Sequence, residues 1–377
     1  MSNGKVLAGI EPEVFGWLKE SSGWSSEEIA KRLKISEENI RKIEAGKKKI
    51  TFRQMKELAG IFKRPVAAFL LAEPKEEKPA PKDFRMIPGK EGKFDKKTLL
   101  VLRKARWLQE LGKELALNIN YSPEAALPEA GISADSKEAA ESMRSLLGMD
   151  ENVRRKFRNS YEMFNHLRNR LEDFNIAVFQ FSMPVEDARG FVFADEYPFV
   201  IVVNTKDSIE ARIFSLMHEF GHILLRQSAI DLPDVSVSKG NVEMWCNEFS
   251  ASFLLPKKTA IEIFESERGN LTEADALKRM SARYKVSKAM LLVKMLDLGY
   301  IKKDEYDGIL DRYKRVQKEE IRAGIPSDVR CLSEMGSKFV SLVADNYGKK
   351  KITYTDALNY LSIKSRNFDK VLAKVKR

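Results

Sequence analysis

Apolar residues recur at helical spacing through most of this chain of 377 residues. Over residues 12–71 they form four or five short segments, each bounded by a capping residue or a glycine, which predicts as many short helices. A stripe of leucine and alanine over residues 98–117 predicts a long amphipathic helix. Asp135 and Glu138 resemble a capping box that opens another helix, ending at Gly148.

The period changes to that of strands in the middle of the chain. Runs rich in β-branched and aromatic residues, separated by turn residues, predict a small antiparallel sheet at 176–181, 190–193 and 198–203. A helix follows from about residue 207 to 226, and the chain is helical again after Pro256. We therefore expect an α+β fold that is mostly α. The last strand is a candidate edge for an extended substrate, or an ordinary sheet strand.

Residues 25–46 have the layout of a helix-turn-helix. A short helix opens at Ser25, a tight turn follows, and Ser36 caps a second helix that ends at Gly46. In this motif the second helix enters the major groove of DNA. The stretch is similar to the XRE/Cro-type helix-turn-helix, and the resemblance extends to Phe69.

The exposed face of this second helix and the turn after it supply the candidates for DNA contact. Glu37 and Glu38 lie among them, and phosphate repels carboxylates, although the run Lys47–Lys49 offsets this. The alternative role is protein interaction or dimerisation. The candidate DNA-binding residues are Asn39, Arg41, Lys42, Lys47 and Lys48.

The net charge of +11 is spread unevenly. Residues 1–72 carry a net charge of +5 and residues 348–377 carry +7, so the remainder is close to neutral. Basic ends around a neutral middle suit contact with nucleic acid, although a lysine-rich solvated surface is the alternative for the tail. Residues 73–93 contain four prolines and no periodic apolar face, which predicts a linker.

The composition also bounds the compartment. No apolar run has the length of a membrane helix, and the first residues lack the layout of a secretion signal. Cys246 and Cys331 are far apart and form no Cys-x-x-Cys pattern, which argues against both a disulfide framework and a cysteine zinc site. We therefore expect a cytoplasmic protein.

The strongest chemical signal is the sequence His218-Glu219-Phe220-Gly221-His222. Histidines four residues apart on a helix share one face, so their two nitrogens can bind one metal ion, and the adjacent glutamate can activate water. Two of the three histidines in the chain lie in this motif. The alternative is a core helix with two hydrogen-bonded histidines. Zinc is favoured over manganese because imidazole ligands suit it.

A catalytic zinc has three protein ligands and one open position. No histidine follows His222, so the third ligand must be a carboxylate. The helix predicted over residues 242–255 offers Glu243 and Glu248, and Asp231 and Asp234 precede it. Helical spacing favours Glu243 without excluding Glu248.

Several runs make the chain similar to the ImmA/IrrE family of zinc metallo-endopeptidases with an N-terminal helix-turn-helix. The runs are Ala188–Phe191, Val202–Ser208, Ala211–Glu219 and Glu243–Asn247, and Asp83–Arg85 matches the longer members. The resemblance covers nearly the whole chain. It implies a central gluzincin-like metallopeptidase domain between a helix-turn-helix bundle and a C-terminal helical part. The implied bounds are 1–72 for the helix-turn-helix, 73–97 for the linker, 98–260 for the peptidase and 261–377 for the helical part.

The resemblance also implies residue roles and a substrate. His218, His222 and Glu243 would bind Zn2+, and Glu219 would be the general base. Many relatives have a glutamate where this chain has Trp245, but Glu243 remains available in the Trp-containing pattern. The implied substrate is a partner protein, such as a DNA-bound repressor whose cleavage derepresses genes.

A second class of function stays open on the sequence alone. The chain could be a non-proteolytic DNA-binding regulator, or an antitoxin-like protein with a toxin partner, in which the zinc fold is retained for structure. The motif favours the enzyme because a structural metal site does not need Glu219, whereas the N-terminal module favours the regulator. The helix-turn-helix layout recurs at residues 272–299 and, more loosely, near residues 361–365.

Overall fold

The structure is a computed structural model, in which residues 7–75, 94–121, 126–227, 229–231, 241–267, 269–314 and 326–375 are described. They form two compact units, one ending at Lys104 and the other beginning at Ala105. Most of the predicted linker, with Asp83–Arg85, lies outside the described residues, as does Asp234. None of the described helices combines the length and the apolar character that a membrane crossing requires.

The first unit is a bundle of short helices around one apolar core. A two-stranded antiparallel ribbon, which the sequence pattern did not predict, joins its start to the segment before the fourth helix. The elements are β1 (Leu7–Ala8), α1 (Pro12–Glu20), α2 (Ser26–Leu33), α3 (Glu37–Glu44), β2 (Ile50–Thr51), α4 (Phe52–Phe62) and a 3-10 turn (Val66–Leu70).

The predicted caps open α2 and α3. The Ser25 hydroxyl accepts a hydrogen bond from the Glu28 backbone N–H, and the Ser25 N–H donates to the Glu28 carboxylate, which completes a capping box. The Ser36 hydroxyl accepts from the Asn39 N–H at 3.3 Å. Between the helices Lys34 takes the left-handed conformation at φ +55°, which turns the chain sharply.

The second unit packs helices on a four-stranded sheet, β3 (Ile176–Phe181), β4 (Gly190–Phe193), β5 (Phe199–Asn204) and β6 (Ala229–Asp231). The long helix α5 (Lys96–Asn118) begins in the first unit and ends in the second. The remaining helices are α6 (Ser136–Leu146), α7 (Glu151–Lys156), α8 (Ser160–Glu172), α9 (Ile209–Leu224), α10 (Asn241–Leu254), α11 (Lys257–Ser266), α12 (Ala274–Tyr284), α13 (Lys288–Asp297), α14 (Lys303–Lys314), α15 (Ser327–Met335), α16 (Ser337–Gly348), α17 (Tyr354–Leu361) and α18 (Phe368–Val375).

The α+β, mostly α fold is confirmed, but the strand pairing differs from the prediction. The strand order is β3-β5-β4-β6, and β3 pairs with β5 in parallel, so the sheet is mixed and not antiparallel. Phe181 is opposite Asn204 and Gly190 is opposite Val203, so β3 ends and β4 begins at the same end of β5. The chain between β3 and β4 crosses over that end of β5. The alternation of apolar and polar residues within a strand does not show which strands are neighbours.

The Asn204 side chain fixes this crossing. Its amide nitrogen donates to the Met183 carbonyl at 3.0 Å and to the Ala188 carbonyl at 2.9 Å. Its amide oxygen accepts from the Lys206 N–H at 3.0 Å. A buried asparagine at the end of a strand thus replaces the ladder hydrogen bonds that the crossing backbone lacks.

A buried ion pair connects α8 to the end of α15 and the start of α16. Arg168 and Glu172 lie one turn apart, each 3% exposed, with Nε and Oε1 at 3.0 Å. Arg168 also donates to the Ser333 carbonyl at 2.7 Å, and Glu172 accepts from the Lys338 N–H at 3.1 Å. Gly336 lies against this pair at φ +83°, and a side chain there would collide with the Glu172 carboxylate.

The apolar core of the second unit runs from Leu127 to Ile309, so it crosses the domain boundary predicted at residue 260. The helices on both sides of that residue share one core. The predicted bounds of 98–260 and 261–377 stay predictions. Helices α9 and α10, which carry the candidate site, therefore pack within a core that helices from both sides of residue 260 share.

Candidate metal centre and DNA-facing helix

Helix α9 carries both motif histidines into the interior. Ser208 caps it, since the Ser208 hydroxyl accepts from the Ala211 N–H at 3.2 Å. The helix begins at Ile209, shortly after β5 ends at Asn204, so the sheet fixes where the helix starts. His218 and His222 are both buried, on the same face of the helix.

Helix α10 brings Glu243 to these histidines. Glu243 Oε2 lies 3.2 Å from His218 Nε2, and Glu243 Oε1 lies 3.3 Å from His222 Nε2. The two Nε2 atoms are themselves 3.2 Å apart. Among the described residues, these three form the one group of potential ligands close enough to share a metal ion.

The spacing of the three ligand atoms fits a tetrahedral ion. Bonds of about 2.0–2.1 Å in tetrahedral geometry hold the ligand atoms about 3.3 Å apart. All three separations in this cluster lie at 3.2–3.3 Å. Two imidazoles and one carboxylate are also the donor types that zinc accepts.

The Glu243 carboxylate is ionised, as a metal ligand must be. Burial by itself raises the pKa of Glu243, but hydrogen bonds from His218 and His222 outweigh burial, so the pKa lies well below its ordinary value. An ionised Glu243 would supply the carboxylate ligand of a bound cation.

Glu219 lies against the backbone of β4. It is fully buried, and its Oε1 is 3.0 Å from the place where a Cβ on Gly190 would be. The same Cβ would come within 2.9 Å of the Val202 carbonyl. Only glycine at position 190 leaves room for the glutamate, a function that the sequence pattern did not reveal.

Gly221 allows α9 and α10 to approach closely. A Cβ at this position would lie 3.1 Å from Cys246 Sγ and 3.4 Å from Cys246 Cα. Glycine inside a helix is otherwise unfavourable, so its presence within the motif was a signal of close packing. Cys246 is buried, as expected of a small apolar thiol.

The other carboxylate on α10 faces elsewhere. Glu248 accepts a hydrogen bond from Ser136 Oγ at 2.6 Å and pairs with Lys137 at 2.8 Å. Trp245 also points away from the histidines, because its indole N–H donates to the Ala134 carbonyl at 2.8 Å.

Strand β5 is not a sheet edge. It pairs with β3 on one side and β4 on the other, so the prediction that it could accept an extended substrate is wrong. The position of β5 next to α9 suggested an edge strand. Because the chain between β3 and β4 crosses the end of β5, these two strands pair with opposite sides of β5.

The predicted DNA-facing residues lie on the surface of α3 and the turn after it. Arg41 is 71% exposed and pairs with Glu37 at 2.9 Å, and Lys42 pairs with Glu38 at 2.7 Å. Lys48 donates to the Asn39 side chain at 2.6 Å, and Lys47 is exposed. The carboxylates therefore engage neighbouring cations of the same helix.

Two spans of the chain match models of known families. Residues 171–296 match the family model Peptidase_M78, described as the IrrE N-terminal-like domain. This part of the chain is similar to an IrrE-type peptidase domain. Residues 17–69 match the model HTH_3, described as a helix-turn-helix, which confirms the predicted pairing of the two modules. No curated protein matches the chain.

The span that matches Peptidase_M78 contains the whole cluster. It includes the four-stranded sheet, α9 and α10, and extends into the last turn of α13. A peptidase domain of this family indicates a metal ion and a protein substrate, and the helix-turn-helix indicates DNA binding and transcription regulation. Helices α14 to α18 lie outside both matched spans.

Proposed function

We propose that the protein is a zinc-dependent, gluzincin-like endopeptidase that cleaves a partner protein. His218, His222 and Glu243 are the zinc ligands, and Glu219 is the general base. The observation that carries this proposal is the mutual separation of 3.2–3.3 Å among the three ligand atoms. A glutamate that follows the first histidine directly, and is buried beside it, completes the set that peptide hydrolysis needs.

The residues divide the chemistry between them. A zinc ion held here would acidify a water molecule and polarise the scissile carbonyl. Glu219 takes a proton from the attacking water and delivers it to the leaving amine. Gly190 keeps the Glu219 carboxylate against β4, so the base has a fixed position before substrate arrives.

The substrate we propose is a DNA-binding repressor. The support is the helix-turn-helix in the same chain, which would bring the peptidase to DNA where such a protein is bound. Asn39, Arg41, Lys42, Lys47 and Lys48 would contact that DNA. The two family matches name neither a repressor nor a toxin as the partner.

Cleavage can be tested before the substrate is identified. Cells expressing the wild-type chain or Glu219→Gln are compared for new protein N-termini. We expect a small set of N-termini that requires Glu219, with a DNA-binding protein among their sources. Glu248→Gln is the matched control, because it neutralises a glutamate of α10 that lies outside the cluster.

Two outcomes separate the parts of the proposal. The same new N-termini in cells with Glu219→Gln would show that the chain is not the peptidase. A Glu219-dependent set without any DNA-binding protein would reject only the repressor as substrate. Metal analysis of purified Glu219→Gln should give zinc at the wild-type level; manganese in its place would contradict the choice of metal.

A further inference from the structure

The end of the chain is strongly basic, and it lies outside both matched spans. Residues 348–377 contain nine lysines and arginines and two aspartates. One of these acids, Asp356, serves the fold, because it accepts hydrogen bonds from the Thr353 N–H and hydroxyl at 2.9 and 2.7 Å. The positive charge is therefore almost uncompensated within this segment.

Six of these cations are exposed and without a described carboxylate partner. By contrast, Lys374 pairs with Asp328 at 2.7 Å, and Arg41 and Lys42 of α3 pair with their own helix. Within the described part of the chain, no ion pair forms at Lys349, Lys350, Lys351, Lys364, Arg366 or Lys370. An anion that binds them does not have to displace a carboxylate.

An aromatic cluster brings the two basic segments together. The Phe368 ring packs against Tyr347 and Tyr354, with centroids 5.2 and 4.9 Å apart. The Tyr354 hydroxyl donates to the Ser365 carbonyl at 3.5 Å. Lys349–Lys351 closely follow Tyr347, and Arg366 follows Ser365, so both segments border one cluster.

The first helix and the turn of the hairpin α17–α18 repeat those of α2–α3, whereas a 3-10 turn over Ser365–Asn367 precedes α18. Capping boxes open both first helices, at Ser25 and at Thr353. A left-handed residue follows each helix, Lys34 at φ +55° and Ser362 at φ +53°. The next residue is isoleucine in both, and its N–H donates to the carbonyl five residues earlier at 3.1 Å, Ile35 to Ala30 and Ile363 to Leu358.

We propose that the C-terminal basic hairpin, residues 349–370, binds the phosphate backbone of duplex DNA. Its turn geometry is that of the helix-turn-helix in the same chain, whereas its surface charge is uncompensated where that of α3 is self-paired. Among its described residues Tyr354 is the one exposed large apolar side chain, which favours phosphate binding over membrane insertion. The inference does not depend on the metal centre.

The test uses the full chain and a fluorescent short duplex of random sequence, with anisotropy measured over a salt series. In the triple variant Lys349→Gln, Lys350→Gln, Lys351→Gln we expect affinity to fall at least about tenfold. The salt slope should decrease by about 0.9 for each lost phosphate contact, or about 2.7 for three. The double variant Arg366→Gln, Lys370→Gln should lower the salt slope by about 1.8.

The matched control removes three exposed lysines elsewhere in the second unit, Lys257, Lys258 and Lys278, also to glutamine. We expect this control variant to bind the duplex with wild-type affinity and wild-type salt slope. Each experiment is repeated with Arg41→Gln and Lys42→Gln, so that binding by α3 does not mask the hairpin.

Three results would overturn the proposal. The hairpin variant could bind duplex with wild-type affinity and slope, or the control triple could lose as much as the hairpin triple. The hairpin variant could also lose binding only to vesicles containing phosphatidylserine, which would assign the surface to a membrane. An unchanged unfolding midpoint shows that the variant is folded.

Discussion

The candidate metal centre and the surface of α3 both place charged or polar groups one helical turn apart, but in opposite surroundings. At the metal centre the groups are buried and converge on one point. On α3, Glu37 with Arg41 and Glu38 with Lys42 are exposed, and each pair closes on itself. The same spacing therefore gives a fixed ligand geometry inside the protein and only weak, exchangeable contacts at its surface.

The largest effect should come from breaking the buried cluster. We expect Glu243→Gln or His222→Ala to reduce metal affinity by more than the roughly 10–100-fold that loss of an outer partner costs, because each change removes a ligand atom. Glu248→Gln should retain full metal content. Metal analysis after dialysis measures the metal content of the ligand variants and of Glu248→Gln. Loss of metal from Glu248→Gln alone would identify Glu248 as the third ligand.

The second-largest effect should come from the buried ion pair of α8. Arg168 with Glu172 and Arg41 with Glu37 are both Arg–Glu pairs four residues apart, but only the first is buried. We expect Glu172→Ala to lower the free energy of unfolding by about 3–5 kcal/mol, because Arg168 would stay buried without its partner.

Glu37→Ala is the surface counterpart of that change. It should lower the free energy of unfolding far less than Glu172→Ala does, since water screens the exposed pair. Denaturant unfolding, followed by a probe in each unit, measures the two values. Equal losses from both variants would mean that burial does not decide the strength of these pairs.

A smaller effect concerns the contact between α9 and α10. Alanine at position 221 gains about 1 kcal/mol of helix propensity, but its Cβ would press on Cys246, and overpacking costs about 1–3 kcal/mol. We expect a net loss of stability of about 1 kcal/mol. Adding Cys246→Ala should recover part of it, and a double-mutant cycle with no coupling would contradict this contact.

Glu37→Gln with Glu38→Gln should leave the free energy of unfolding almost unchanged, because water screens both pairs. Affinity for duplex DNA should rise a few-fold at low salt, because two carboxylates that repel phosphate are gone. Anisotropy titration measures the change. Weaker binding would mean that the pairs with Arg41 and Lys42 orient those cations for DNA.

The sequence predicted those features that local rules determine. Serine caps at Ser25 and Ser36, the helical face shared by His218 and His222, and the helix that carries Glu243 all follow from short-range patterns. Spacing also favoured Glu243 over Glu248. The three-dimensional position of Glu248 beside Lys137 could not be read from the chain, because it depends on packing against α6.

Long-range pairings were the part that sequence patterns missed. Parallel pairing of β3 with β5 depends on the crossing that Asn204 holds, and alternation within a strand does not encode its neighbour. The contact of Gly336 with the Arg168–Glu172 pair joins segments more than 160 residues apart in the chain. Such contacts become visible only when the elements are assembled.

The left-handed turn residues have a consequence for heat tolerance. Lys34, Lys63, Lys285 and Ser362 all hold φ between +53° and +55°, and none is glycine. A side chain in this conformation costs about 1 kcal/mol relative to glycine, although glycine also enlarges the unfolded ensemble. A lysine at the C-terminal end of a helix is in turn stabilised by the helix dipole. The chain thus combines backbone strain with surface charge at its turns, and glycine at these four positions would relieve the strain without changing a candidate metal ligand.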